Sequence, residues 1–317
     1  MDQTFLSTDK SRSLWTRLSM FFWRSPILLL ALTAATWAGH AIVSRMAVGE
    51  IGPMTLVTAR WALALGPILY VARRDLRRDF EVMRKRWLLV GTMGALGFTA
   101  FNAIFYIASH HTGALNLSII QGAIPAFVLV GARFGLGEKV SGLQTIGAFA
   151  TMVGVVAIAS RGQWSRLAGL EFNIGDLLML VACVFYAGYT IGLRKRPHVS
   201  GLGLLAGMAI AALITSLPLF AWEVASGDFI WPTGKGLLLL AYAALGPAFV
   251  SQIFYMRGVE LIGPGRAGVF VNLVPVFGAL MAVGLLGEPF ALYHVAALAL
   301  VVGGIAVAQR GPRQAGR

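Results

Sequence analysis

The chain has 317 residues, of which 57% are hydrophobic and only 12% charged, and its mean hydropathy is +0.76. Soluble domains are about 45–50% apolar and about 25% charged, so a water-soluble globular protein is excluded and most of this chain lies in lipid. The formal net charge of +13 would suggest nucleic acid in a soluble protein; here Lys and Arg collect in cytoplasmic loops, and no nucleic-acid partner is expected.

Residues 1–25 carry Lys10, Arg12, Arg17 and Arg24, with Leu14, Trp15, Leu18, Phe21 and Phe22 at helical spacing. That pattern predicts an amphipathic cytoplasmic segment lying on the membrane surface. A signal peptide is the rival reading, but the apolar run that opens at Ile27 continues to Val43 and recurs in the second half. Ten spans follow, at 27–46, 53–72, 87–109, 113–132, 141–160, 174–193, 201–222, 236–255, 265–286 and 290–308. Loops between them are short except at 73–86, 161–173 and 223–235, so no separate soluble domain fits.

One stretch occurs twice. IPAFVLVGARFGLGE from Ile124 and VPVFGALMAVGLLGE from Val274 align at an offset of 150, which pairs Pro125 with Pro275 and Glu138 with Glu288. At an offset of 149, Trp37-Ala38-Gly39 faces Tyr186-Ala187-Gly188, and Ile104-Phe105-Tyr106 faces Ile253-Phe254-Tyr255. Spans 1–5 therefore repeat as spans 6–10. The expected fold is an all-α membrane protein of ten transmembrane helices, built as two inverted five-helix repeats at 26–160 and 174–309. A linker at 161–173 joins them and a cytoplasmic tail at 310–317 follows. Five is odd, so the second copy must be upside down. With both termini in the cytoplasm, 21 of the 26 Lys and Arg fall on the cytoplasmic side, four outside, and Arg60 alone within a span.

Polar groups at membrane depth are costly unless they pair or face a cavity. They fall at corresponding places in the two halves: Trp37 and His40 against Tyr186 and Tyr189, Asn102 against Ser251 beside Gln252, and Gln121 beside the counterpart of Asn272. With Tyr106, this set predicts a central substrate cavity. The plainer reading of any single Asn, Gln or Ser is a hydrogen bond between helices. His40 could titrate and couple transport to protons, against the blander reading of a neutral packing residue. Arg60, about seven residues into span 2, needs an acceptor; Glu288 or helix-end carbonyls are candidates, and a structural or gating pair is preferred to substrate contact. Pro125 and Pro275 would kink their helices, either as architecture or as points of flexing. Glu138 and Glu288 terminate spans at the interface.

No Walker loop, G-x-S-x-G, H-E-x-x-H or Cys-x-x-Cys is present, and the single cysteine, Cys183, excludes an internal disulfide and a Cys-based metal site. No catalytic residue, metal or cofactor is expected. The stretches GEKVSGLQTIGAFATMVGVVAI from Gly137, GEPFALYHVAALALVVGGIAVA from Gly287 and WAGHAIVSRMA from Trp37, with the Arg60 position, resemble the EamA-type domain of the drug/metabolite transporter superfamily, twice over residues 27–308. The resemblance implies ten helices in the cell membrane with both termini cytoplasmic, and export of small metabolites such as amino acids, or of drugs. The chain departs from the family at His40, where a small polar residue is commoner. With no Lys at mid-span and Arg60 the only Arg there, phosphorylated substrates are disfavoured. The expectation is a secondary transporter for a small neutral or zwitterionic metabolite, working by alternating access. The rivals are a non-transporting membrane receptor or assembly component and an intramembrane enzyme.

Overall fold

Helices begin where the chain offers a cap. Ser25 accepts the Leu28 N–H and Pro26 follows it, opening α1 (Pro26–Met46). Gly52 and Pro53 open α2 (Pro53–Lys85), and α3 runs over Trp87–His111. Next come α4 (Ile124–Gly135), α5 (Gly142–Ala159) and α6 (Ile174–Gly192). Ser200 caps α7 (Gly201–Ala225) and Thr233 caps α8 (Gly234–Ile262). Gly263, at φ 83°, takes a left-handed turn that a side chain would resist, and Pro264 restarts the chain as α9. That helix is composite: Pro264–Val269, a 3₁₀ turn Phe270–Asn272, then Leu273–Leu286. Pro275 has no N–H to offer the Val271 carbonyl, which accounts for the tightening just ahead of it. Pro125 falls in α4. The last helix is α10 (Leu292–Gln309).

This computed structural model describes residues 20–111, 120–121, 124–135, 137, 140–159, 163, 174–286 and 292–310. Most of the amphipathic N-terminal segment, the linker apart from Gln163, the end of the tail, and Glu138 and Glu288 lie outside the described residues. Every regular element among the described residues is helical. Among the described residues six helices, α1, α2, α3, α6, α7 and α8, are long and apolar enough to cross a membrane.

The largest departure from the expected boundaries lies in α2. Residues 73–85 are not a loop but the last third of α2, whose 33 residues reach about 50 Å against about 30 Å of hydrocarbon. Helix-favouring Arg, Leu, Glu and Met fill this stretch, and ion pairs one turn apart, Arg78–Asp75 and Arg84–Glu81 at 3.0 Å each, hold it.

The packing has an internal order. Helix α5 packs on α10, and α2 on α7. Helix α3 packs on α6 as α8 does on α1; α4 packs on α6 as α9 does on α1; and α3 packs on α7 as α8 does on α2. Shifting every helix number by five, counting past ten back to one, turns each of these pairs into another or into itself. The interruptions obey the same shift: α3 widens to a π-helix at Ala95–Ala100 and α8 at Ala244–Val250.

Two carboxylates lock the antiparallel pair α2 and α7 at opposite ends. Glu223, 3% exposed near the end of α7, accepts the Met54 and Thr55 N–H groups at 2.8 Å each. These are donors that the first turn of α2 cannot satisfy itself. Asp79, near the end of α2, accepts the N–H and hydroxyl of Ser200 at 2.8 and 2.7 Å, at the start of α7. Replacing Glu223 with Gln is expected to lower stability by about 1–3 kcal/mol in a detergent melt, because one of its buried acceptor oxygens becomes a donor facing donors.

The Arg78 guanidinium, and then the two Ser200 donors, hold the Asp79 carboxyl down at about 2 from its usual 3.8. Its contribution is therefore complete above pH ~4 and fades as pH falls toward ~2. The melting advantage of the native protein over Asp79→Asn should vanish across that window. An advantage that persists undiminished at the acid end would remove Asp79 from the lock.

Candidate functional site

The π segment of α3 builds the centre of the site. Within it the Phe98 carbonyl takes two side-chain donors, Trp61 Nε1 at 3.1 Å and Asn102 Nδ2 at 2.8 Å. The Trp61 ring stacks on Phe98 at 4.6 Å between centroids. These contacts fix α2 against α3 and aim the neighbouring Arg60 at Asn102. Arg60 Nη1 donates to Asn102 Oδ1 and to Tyr106 Oη at 2.8 Å each, and lies 3.2 Å from His40 Nε2. Its Cζ is 5.0 Å from the Trp61 ring centroid, within cation–π range. A guanidinium has only donors, so the facing His40 Nε2 is an acceptor, and the Tyr106 hydroxyl, 2.8 Å away, donates to it. His40 Nδ1 is buried without a partner among the described residues. Asn102 and Tyr106 share a face because they are one helical turn apart.

This cluster borders a cavity of about 540 Å³ of space between atoms, counting what opens to solvent at its mouth. Helix α1 contributes Trp37 and His40, and α2 contributes Arg60. From α3 come Gly97, Phe101, Asn102 and Phe105, and Gln121 lies just before α4. The second half of the chain supplies Tyr186 from α6, Pro247 and Gln252 from α8, and Val271 from α9. Gln252 Oε1 and the Tyr186 hydroxyl are buried with no hydrogen-bond partner among the described residues. Trp37 sits edge-on to Tyr186 at 6.2 Å and tilted to Tyr255 at 5.3 Å.

Of the residues singled out in the sequence, Trp37, His40, Asn102, Gln121, Tyr186 and Gln252 come together on this lining, and Tyr106 joins through its bonds to His40 and Arg60. Three lie elsewhere. Tyr189 is 1% exposed and packs behind Gly97 and against Phe98. The Ser251 hydroxyl is buried without a partner among the described residues, while its carbonyl accepts from Thr33 Oγ1 at 3.3 Å. Asn272 donates from Nδ2 to Thr151 Oγ1 on α5 at 2.9 Å, a bond between helices.

Glu288, one of the acceptors expected for Arg60, lies outside the described residues. Arg60 stands in the cavity wall among neutral acceptors and makes no ion pair among the described residues. Phe101, Phe105, Gly97, Pro247 and Val271 were missed, being apolar or small. The four-residue spacing from Phe101 to Phe105, alongside Asn102 and Tyr106, was the available signal. Among the described residues no cluster of His, Cys, Asp and Glu could hold a metal ion.

Known proteins resemble the chain along nearly its whole length. It is 24% identical to the uncharacterized transporter YyaM of Bacillus subtilis (strain 168), over 89% of this chain and 92% of that protein. It is 26% identical to the uncharacterized inner membrane transporter YedA of Escherichia coli (strain K12), over 84% of each. A solved crystal structure, 21% identical, superposes with a TM-score of 0.71 over 88% of this chain and 95% of its own, a likeness of fold. The EamA-like transporter family model matches residues 24–160 and again 173–309, so the chain belongs to the EamA-like transporter family.

Proposed function

We propose that the protein is a secondary transporter of ten transmembrane helices in which two inverted five-helix halves rock about the central cavity. In this reading it exports a small neutral or zwitterionic metabolite, amino-acid-like, or a drug, across the cell membrane, and catalyses no chemical change. One observation carries the reading: in a chain of a transporter family, polar and aromatic side chains from both halves converge on one cavity at the depth of the π segments. Pairings that map onto themselves under a five-helix shift support two related halves. The excess of Lys and Arg on one side supports termini in the cytoplasm.

The cavity lining combines one fixed cation, amides and aromatic rings, which suits a substrate with little net charge. Proton coupling through His40 fits only if Arg60 is first neutralised. A proton on Nε2 would turn the bond with Tyr106 around, so that Nε2 donates to the hydroxyl, and would put a second cation 3.2 Å from Arg60 Nη1.

Uptake into proteoliposomes across a panel of amino acids and amphipathic drugs tests the reading. At least one compound should move, and Gln252→Leu should slow it while the protein still melts normally. Correctly folded protein that moves nothing in the panel would count against it.

A further inference from the structure

We propose that the cavity receives its substrate by a carboxylate group bound at Arg60, so that a carboxylate is the feature its substrates share. This deepens the transporter reading and rests on it for its consequence, though not for its test. Arg60 is 2% exposed and lines the cavity, yet every partner it has among the described residues is neutral: Asn102, Tyr106, His40 and the Trp61 ring. The ion pairs among the described residues lie elsewhere, in the α2 extension and at helix ends. A buried charge without a countercharge is strongly unfavourable, and neutral acceptors recover only part of the loss.

All three contacts also go to one nitrogen. Nη1 makes them, and Nε is buried without a partner among the described residues. Most of a planar fork suited to two parallel bonds with a carboxylate is left uncommitted by the protein.

The rest of the lining has the opposite character. Gln252 Oε1, a buried acceptor without a partner among the described residues, and the rings of Trp37 and Tyr186 suit an ammonium or an aromatic group at the far end of the same molecule. A substrate that is only a cation would meet like charge at Arg60. A phosphate ester, with nearly two negative charges, would find a single guanidinium in the central cavity. One carboxylate matches one guanidinium.

The test is equilibrium binding to the purified full-length protein in detergent, read by thermal shift and tryptophan fluorescence. The probes are the twenty amino acids and a matched series that removes one group at a time: phenylalanine, 3-phenylpropionate, phenylalaninamide and phenethylamine. Binding should require the carboxylate, so that within any series the amide and the amine bind at least about thirty-fold more weakly than the acid. Arg60→Gln should abolish the preference for acids, and Arg60→Lys should retain part of it. The ligand series in the native protein needs no variant and survives a folding failure of either.

An amide or amine that binds as well as its acid, acids that bind Arg60→Gln undiminished, or no acid binding at all would each overturn the proposal. Transport is scored separately. Acids that bind but never cross proteoliposomes would sink the transporter reading and keep the site. An amine that crosses while acids fail to bind would do the reverse.

Discussion

Replacing Gly304 with valine is expected to leave no folded protein in detergent. Helices α5 and α10 cross where Gly147 and Gly304 face each other with no side chain between them. A Cβ on Gly304 would stand 2.7 Å from the Gly147 carbonyl oxygen and 3.0 Å from the Thr151 nitrogen. A Cβ on Gly147 would stand 2.5 Å from the Gly304 carbonyl oxygen and 2.7 Å from the Ala308 nitrogen. These neighbours are backbone and cannot rotate aside, so the helices themselves must separate. Overpacking usually costs about 1–3 kcal/mol where side chains can adjust; here they cannot, and the effect should exceed that range. Association of helices in lipid depends on such close approach, because lipid tails solvate apolar side chains as well as a neighbouring helix does. Gly303, one residue away, faces open space, and a Cβ there would meet nothing within 4 Å. Gly303→Ala should therefore melt like the native protein, and equal loss of both variants would refute close packing at Gly304 as the cause.

The second large effect separates function from stability in the opposite way. Arg60→Met should reduce substrate uptake at least tenfold while shifting the melting temperature little, or upward. Methionine fills much of the same volume and removes a buried charge that has no countercharge among the described residues. Such replacements are often neutral or stabilising. The Tyr106–His40 and Asn102–Phe98 bonds, both 2.8 Å, do not involve Arg60 and can persist. If Arg60 were instead a structural pin between α2 and α3, the variant would melt early, and the protein that stayed folded would transport normally. Uptake per folded molecule decides between the two.

Much of the helical layout was legible because lipid imposes a long, simple signal. A run of apolar residues bounded by turn residues such as Gly52-Pro53 needs no tertiary context to be read. The exception, residues 73–85, is amphipathic rather than apolar, and its helix depends on pairs such as Arg78–Asp75 that hydropathy ignores. The site was legible in part. Polar residues in apolar helices stand out, which is how His40, Asn102 and Gln252 were found. Whether each faces the cavity or a neighbouring helix depends on rotation about the helix axis, and that is set by packing. Asn272 turns to Thr151 on α5, and Tyr189 turns to Gly97. The π segments shift the register of α3 and α8 partway along, so no constant helical period assigns the faces on both sides of Ala95–Ala100. Arg60 carried a conspicuous sequence signal, but its neighbours come from α1 and α3, and their neutrality is visible only once the helices are assembled.

Alternating exposure of the cavity is the claim on which the rest depends, and a single thiol at Gln252 can report it. In a Cys183→Ala background, Gln252→Cys places the only cysteine on the cavity wall. It is then challenged with a membrane-impermeant thiol reagent, from inside and from outside sealed vesicles, with and without substrate. The account predicts reaction from each side, with substrate shifting the balance between the two rates in opposite directions. Reaction from one side only under every condition, or from neither, would contradict it.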